Sequence, residues 1–144
     1  PVIALAGDGA FLMTGLELIT AAAQKIAVAV FVLRDRELAQ IAQFQDVALN
    51  RKACSELPDY DLEGLCRGVG VEHLKLDRDA DTSSVLARVQ EITEAGRPVL
   101  VDVAIDYSRK TYFTQGVVKT NLGRLPWPDR LRFIGRAVAR KVLG

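Results

Sequence analysis

Three continuous apolar runs constrain this chain more than any other feature: Val2-Ile3-Ala4-Leu5-Ala6, Val28 to Leu33, and Pro98 to Ile105. An alternating pattern would give strands with one wet face. Unbroken runs rich in β-branched residues instead predict strands covered on both faces, as in a parallel sheet. A fourth, less apolar run, Val71 to Leu76, predicts a strand nearer an edge. Helical patterns separate the runs. Thr14-Gly15-Leu16-Glu17 fits a capping box, so a helix is expected over about 15–25 with Leu16, Ile19 and Ala23 inward. Further helices are expected at Glu37 to Gln45, after a cap at Asp61, and from Ser84 to Ala95, where Val85, Leu86, Val89 and Ile92 form one stripe. Strand and helix in alternation predict a doubly wound α/β fold, with a mostly parallel sheet and helices on both faces.

Residues 1–107 are expected to make up this α/β domain, and residues 108–144 a C-terminal extension. Tyr107 to Pro128 reads as irregular. Asp129 to Leu143 reads as a basic amphipathic helix with Leu131, Ile134, Val138 and Val142 inward, packing on the domain or on a partner subunit. Trp127 is expected to pack as well. Charge divides at the same place. Residues 1–107 hold ten basic against seventeen acidic residues, and residues 108–144 hold nine basic residues against Asp129 alone. The tail lacks any nucleic-acid motif, so a basic segment beside an acidic domain or an anionic ligand is favoured over nucleic-acid binding. No apolar run approaches the roughly eighteen residues of a membrane span, and no signal-peptide pattern is present, so the expected compartment is the cytoplasm. A first residue of Pro1 directly before a strand suggests a piece of a longer protein. Cys54, Cys66 and His73 are too few and too widely spaced for a zinc site; the thiols are expected to be reduced and buried, and His73 a solvated or hydrogen-bonded bystander.

The chemistry concentrates in two turns. Gly7-Asp8-Gly9 ends the first strand, and Asp35 follows the second, one βα unit later. In an open parallel sheet both turns gather at the carboxyl edge, where ligands bind. Paired carboxylates there suit a hard cation such as Mg²⁺, whose shell phosphate oxygens often complete. Gly7 and Gly9 let the backbone come close, and amides near Gly9 and Ala10 are placed to donate to phosphate. Two other readings use similar parts. A receiver-like signalling module needs a phosphorylatable Asp at a strand end and a later Lys, whereas Asp102 lies within a strand. A dinucleotide fold needs a third glycine where Leu12 stands.

Gly7-Asp8-Gly9-Ala10-Phe11, followed by Leu33-Arg34-Asp35-Arg36-Glu37, resembles the motif pair of thiamine-diphosphate-dependent enzymes, in which Gly-Asp-Gly is followed one unit later by Asn-Asn. Thr14 to Leu18, Gln40 to Gln45 and the Pro98 to Ile105 strand are similar to acetolactate-synthase-like members. The resemblance covers about residues 1–107 and implies the diphosphate-binding C-terminal domain of such an enzyme, a lyase or transferase acting on 2-oxo acids or related carbonyl compounds. It implies Asp8 and Asp35 as Mg²⁺ ligands, with Glu37 adding its backbone carbonyl. It implies Gly7, Gly9 and Ala10 at the diphosphate, Leu38 and Ile41 beside the cofactor, and Phe44 at the substrate channel. It also implies a pyrimidine-binding domain and a middle domain elsewhere, and a homodimer or tetramer. The activating glutamate belongs to the pyrimidine-binding domain, so no catalytic residue is assigned here and the chain alone is expected to be inactive. The departures are Arg34 and Asp35 in place of Asn-Asn. Arg34 or Arg36 is expected to offset the added negative charge, and a degenerate, non-catalytic family member is the alternative.

Overall fold

The four runs become four strands: β1 (Val2–Gly7), β2 (Val28–Arg34), β3 (Glu72–Leu76) and β4 (Val99–Ala104). The computed structural model of the chain describes residues 2–49, 51–105 and 117–143. The strands lie in the order β1-β2-β4-β3 and every pairing is parallel. Among the described residues seven α-helices accompany them: α1 (Asp8–Thr14), α2 (Leu18–Ala23), α3 (Ala39–Leu49), α4 (Leu62–Val69), α5 (Thr82–Glu94), α6 (Val117–Arg124) and α7 (Trp127–Leu143). Two compact units result, Pro1–Arg36 with Pro58–Ile105, and Glu37–Leu57 with Asp106–Gly144. Segment 37–57 belongs to the second of these compact units.

In the first unit β2 and β4 are covered on both faces, as their unbroken apolar runs require, whereas β1, read as covered on both faces too, leaves Ile3 and Leu5 exposed because no described helix packs on that side of the edge strand. On one face Phe11, Leu18 and Ala21 of α1 and α2, with Leu62 and Cys66 of α4, pack on Val32 and Leu100. On the other, Val89 and Ile92 of α5 pack on Ala29, Phe31, Val99 and Val101. Helix α4 has the ends its sequence specifies. The Asp61 carboxylate accepts from the Gly64 amide at 2.8 Å, and Gly70 closes the helix in the left-handed conformation, φ 75°.

The first helical stretch differs from expectation. The chain turns helical at Asp8, directly after β1, and is broken by a 3₁₀ turn at Gly15–Glu17. Thr14 caps nothing; its hydroxyl donates back to the Ala10 carbonyl at 3.4 Å. The Phe11 ring lies against Gly15, where a Cβ would stand 2.5 Å from its Cζ. The break resets the helical phase, so Leu18 and Ala21 point inward, while Leu16, Ile19 and Ala23 are exposed. In α5, likewise, Leu86 is exposed although it was expected in the buried stripe.

In the second unit Glu37 pairs with Glu56 in an isolated antiparallel bridge, and the Leu38 amide donates to the Ser55 carbonyl at 2.7 Å. The Gln45 side chain both donates to the Ala53 carbonyl and accepts from its amide. Helix α6 occupies part of the stretch read as irregular. The basic helix forms as α7 and meets α3, yet Leu131, Ile134, Val138 and Val142 are exposed, because α3 does not cover that stripe. Trp127 is exposed too, its ring 6.0 Å from the Arg130 guanidinium. Among the described residues no helix is long and apolar enough to cross a membrane.

Candidate functional site

The β1–β2 register sets Gly7 beside Leu33, so the turns after the two strands begin at the same level of the carboxyl edge. Asp8 opens α1 and is only 1% exposed. Its Oδ1 accepts from the Gly9 amide at 2.8 Å, and its Oδ2 accepts from the Arg36 amide, also at 2.8 Å. A buried carboxylate without such donors costs several kcal/mol; here two main-chain amides hold it in one orientation. Arg36 donates from a left-handed backbone conformation, φ 57°, which a side-chain-bearing residue adopts at a cost of about 1–2 kcal/mol. Gly7 is extended, and a Cβ built there meets no atom of the described residues within 4 Å. Packing inside the chain thus does not demand a glycine at this position. Asp35, half-buried, lies between Arg34 and Arg36.

A carboxylate has about four lone-pair positions, and the two amides engage two of them. Such donors fix the orientation of the carboxylate and leave lone pairs open to a further partner. Among the described residues no group of three or more His, Cys, Asp or Glu side chains is gathered for a metal. What the structure provides at this edge is one buried, oriented carboxylate, an oxygen donor of the kind that suits a hard cation better than zinc.

Ala10 lies exposed in the first turn of α1, and the remaining residues singled out by sequence lie in the second unit. The Glu37 carboxylate pairs with the Lys52 ammonium, so any ligand role falls to its main chain. Leu38 is half-buried and Ile41 exposed. The side chain of Phe44 lies outside the described residues.

Sequence reasoning missed a polar network on the α4 side of the sheet. Arg34, 16% exposed, donates to Asp102 Oδ2 at 2.8 Å and to Asp59 Oδ1 at 3.2 Å, and lies 5.1 Å above the Tyr60 ring. It is not simply solvated. Burial works against its charge, but Asp102, with Tyr60 and Asp59, outweighs that and holds its pKa above the ordinary value. Burial, then the field of Asp8, pushes the Tyr60 phenol up; its hydroxyl is buried with no hydrogen-bond partner among the described residues. His73 is 7% exposed rather than solvated, with Nε2 at 3.9 Å from Asp102 Oδ2, beyond hydrogen-bond reach. Burial lowers its pKa, although Asp102 opposes this. Of the cysteines Cys66 is buried and Cys54 exposed, correcting the expectation for Cys54; both are free thiols. One signal for the network was available. Asp102 interrupts an apolar central strand, and an acid there demands a partner.

Residues 1–103 match the family described as "Thiamine pyrophosphate enzyme, C-terminal TPP binding domain". The chain belongs to this family. It is 34% identical over 105 residues to a putative acetolactate synthase large subunit, IlvB2, of Mycobacterium tuberculosis, covering 73% of this chain and 18% of that protein. It is 26% identical over 124 residues to an acetolactate synthase of Bacillus subtilis, covering 86% of this chain and 21% of that one. The chain thus spans about a fifth of the length of these relatives. A benzoylformate decarboxylase from Polynucleobacter necessarius superposes with a TM-score of 0.63 over 76% of this chain and 20% of its own, at 22% identity, and agrees on the fold.

Proposed function

We propose that this chain is the diphosphate- and Mg²⁺-binding part of an acetolactate-synthase-like enzyme acting on 2-oxo acids or related carbonyl compounds. One observation carries the reading. The buried Asp8 carboxylate, in the first turn of the family's binding domain, is tied by the Arg36 amide to the turn that holds Asp35. In this reading Asp8 and Asp35 ligate Mg²⁺, the Glu37 carbonyl adds a third oxygen, and the backbone at Gly7, Gly9 and Ala10 approaches the diphosphate. Leu38 and Ile41 line the thiamine, and Phe44 borders the substrate channel.

Bound thiamine diphosphate supplies the carbanion and electron sink for cleaving or joining carbon–carbon bonds next to a carbonyl. This chain's residues anchor and orient the cofactor, and none of them is assigned a catalytic proton transfer. The activating acid belongs to a pyrimidine-binding domain, which with a middle domain makes up the rest of a longer cytoplasmic protein. The β1 edge supports a covering partner, since Ile3 is 65% and Leu5 72% exposed. Assembly is as a homodimer or tetramer, and the isolated chain is inactive.

A structure of the full-length protein with thiamine diphosphate and Mg²⁺ tests the assignment. The reading expects the metal about 2.1 Å from carboxylate oxygens of both Asp8 and Asp35. A metal bound through other side chains overturns it.

A further inference from the structure

Asp35 sits between two arginines, and both are tethered. Arg34 is anchored to the adjacent strand by the 2.8 Å bond to Asp102, whose side chain is 13% exposed. Its second amino group reaches Asp59, and Asp59 also meets Arg36 Nη2 at 3.4 Å. The Arg36 main chain in turn holds Asp8. The segment 34–36 is therefore fixed by its side chains on the sheet and on loop 59–60, and by its backbone on the first turn. A planar guanidinium fork bridging two carboxylates and stacked on a ring restricts geometry in a way a point charge does not.

We propose that Arg34 is a positioning residue for the metal site: through Asp102 and Asp59 it fixes the 34–36 turn, so that the Arg36 amide orients Asp8 and Asp35 is held at the same edge. This rests on the function proposed above. It differs from simple charge compensation, in which Arg34 only offsets the negative charge of Asp35. Compensation needs a cation and positioning needs the fork, so lysine separates the two.

The test uses the full-length protein and its variants Arg34→Lys, Arg34→Met, Asp102→Asn and Arg34→Met/Asp102→Asn. Thiamine diphosphate is titrated calorimetrically at several Mg²⁺ concentrations, well below each melting temperature, and turnover is measured at saturating cofactor. The proposal expects Arg34→Lys and Arg34→Met each to weaken Mg²⁺-dependent binding at least about tenfold. Asp102→Asn should weaken it by several-fold, and the double variant should lose no more than Arg34→Met alone, as for residues acting as a unit. Turnover at saturation should stay within about twofold, which general damage to the fold would not allow. If Arg34→Met does not fold, the Arg34→Lys and Asp102→Asn pair carries the comparison. Native binding by Arg34→Lys, or additive losses in the double variant, overturns the proposal. Asp8→Ala in the same titration separates the two claims: retained binding there removes the underlying site, whereas lost binding with an unaffected Arg34→Lys removes only the positioning role.

Discussion

The Asp8 carboxylate accepts a hydrogen bond from the Arg36 amide at 2.8 Å, joining two turns 28 positions apart in sequence. Both turns leave neighbouring parallel strands at the same level, so the bond closes the carboxyl edge of the sheet across β1 and β2. A carboxylate buried here serves the fold as well as any ligand.

Removing that carboxylate should therefore cost stability before any cofactor is considered. Asp8→Ala leaves two amides short of an acceptor, and a lost partner in a buried site costs about 1–3 kcal/mol. Urea unfolding of this chain should show a loss in that range. Asp8→Asn, which keeps one acceptor, should lose less than Asp8→Ala.

His73 should make stability depend on pH. Its folded-state pKa lies below the ordinary 6.5 because burial disfavours the cation. Below 6.5 the unfolded chain takes up a proton that the folded chain resists, so stability falls as the pH drops from 6.5 toward the lowered value and is complete above 6.5. Urea midpoints measured from about pH 8 to about pH 5 should decline only in the lower part of that range. His73→Leu should flatten the decline; an unchanged slope would assign the dependence to another group.

The two thiols should differ in reactivity. Burial, with Asp102 adding to it, pushes the Cys66 thiol up to about 11, whereas Cys54 is exposed. Since the thiolate is the nucleophile, a disulfide reagent at about pH 8 should titrate one thiol in the native chain and both after denaturation. Rapid native reaction of both would contradict the burial of Cys66 on the sheet-facing side of α4.

Much of the fold was legible because local chemistry and tertiary context agree. The apolar runs specify a parallel sheet, covered on both faces at β2 and β4, and Asp61 and Gly70 bracket α4 with side-chain and backbone signals that need no distant partner. The first helical stretch was misread because its break depends on the Phe11 ring meeting Gly15, a contact that spacing alone does not reveal. Helix α7 was recognisable by period, but which stripe it buries depends on its neighbours. That the turns of Asp8 and Asp35 meet at one edge of the sheet was legible from the strand pattern. The Arg34 network was not, since it requires the β2–β4 register that brings Asp102 beside Val32 and a loop that delivers Asp59 and Tyr60.

Asp8 is proposed to hold the diphosphate through a metal. Calorimetric titration of thiamine diphosphate into the full-length protein, with and without Mg²⁺ and repeated for Asp8→Ala, tests it most directly. Binding should require Mg²⁺ and disappear in Asp8→Ala. Binding that is equally tight without the metal, or that survives in Asp8→Ala, would contradict it.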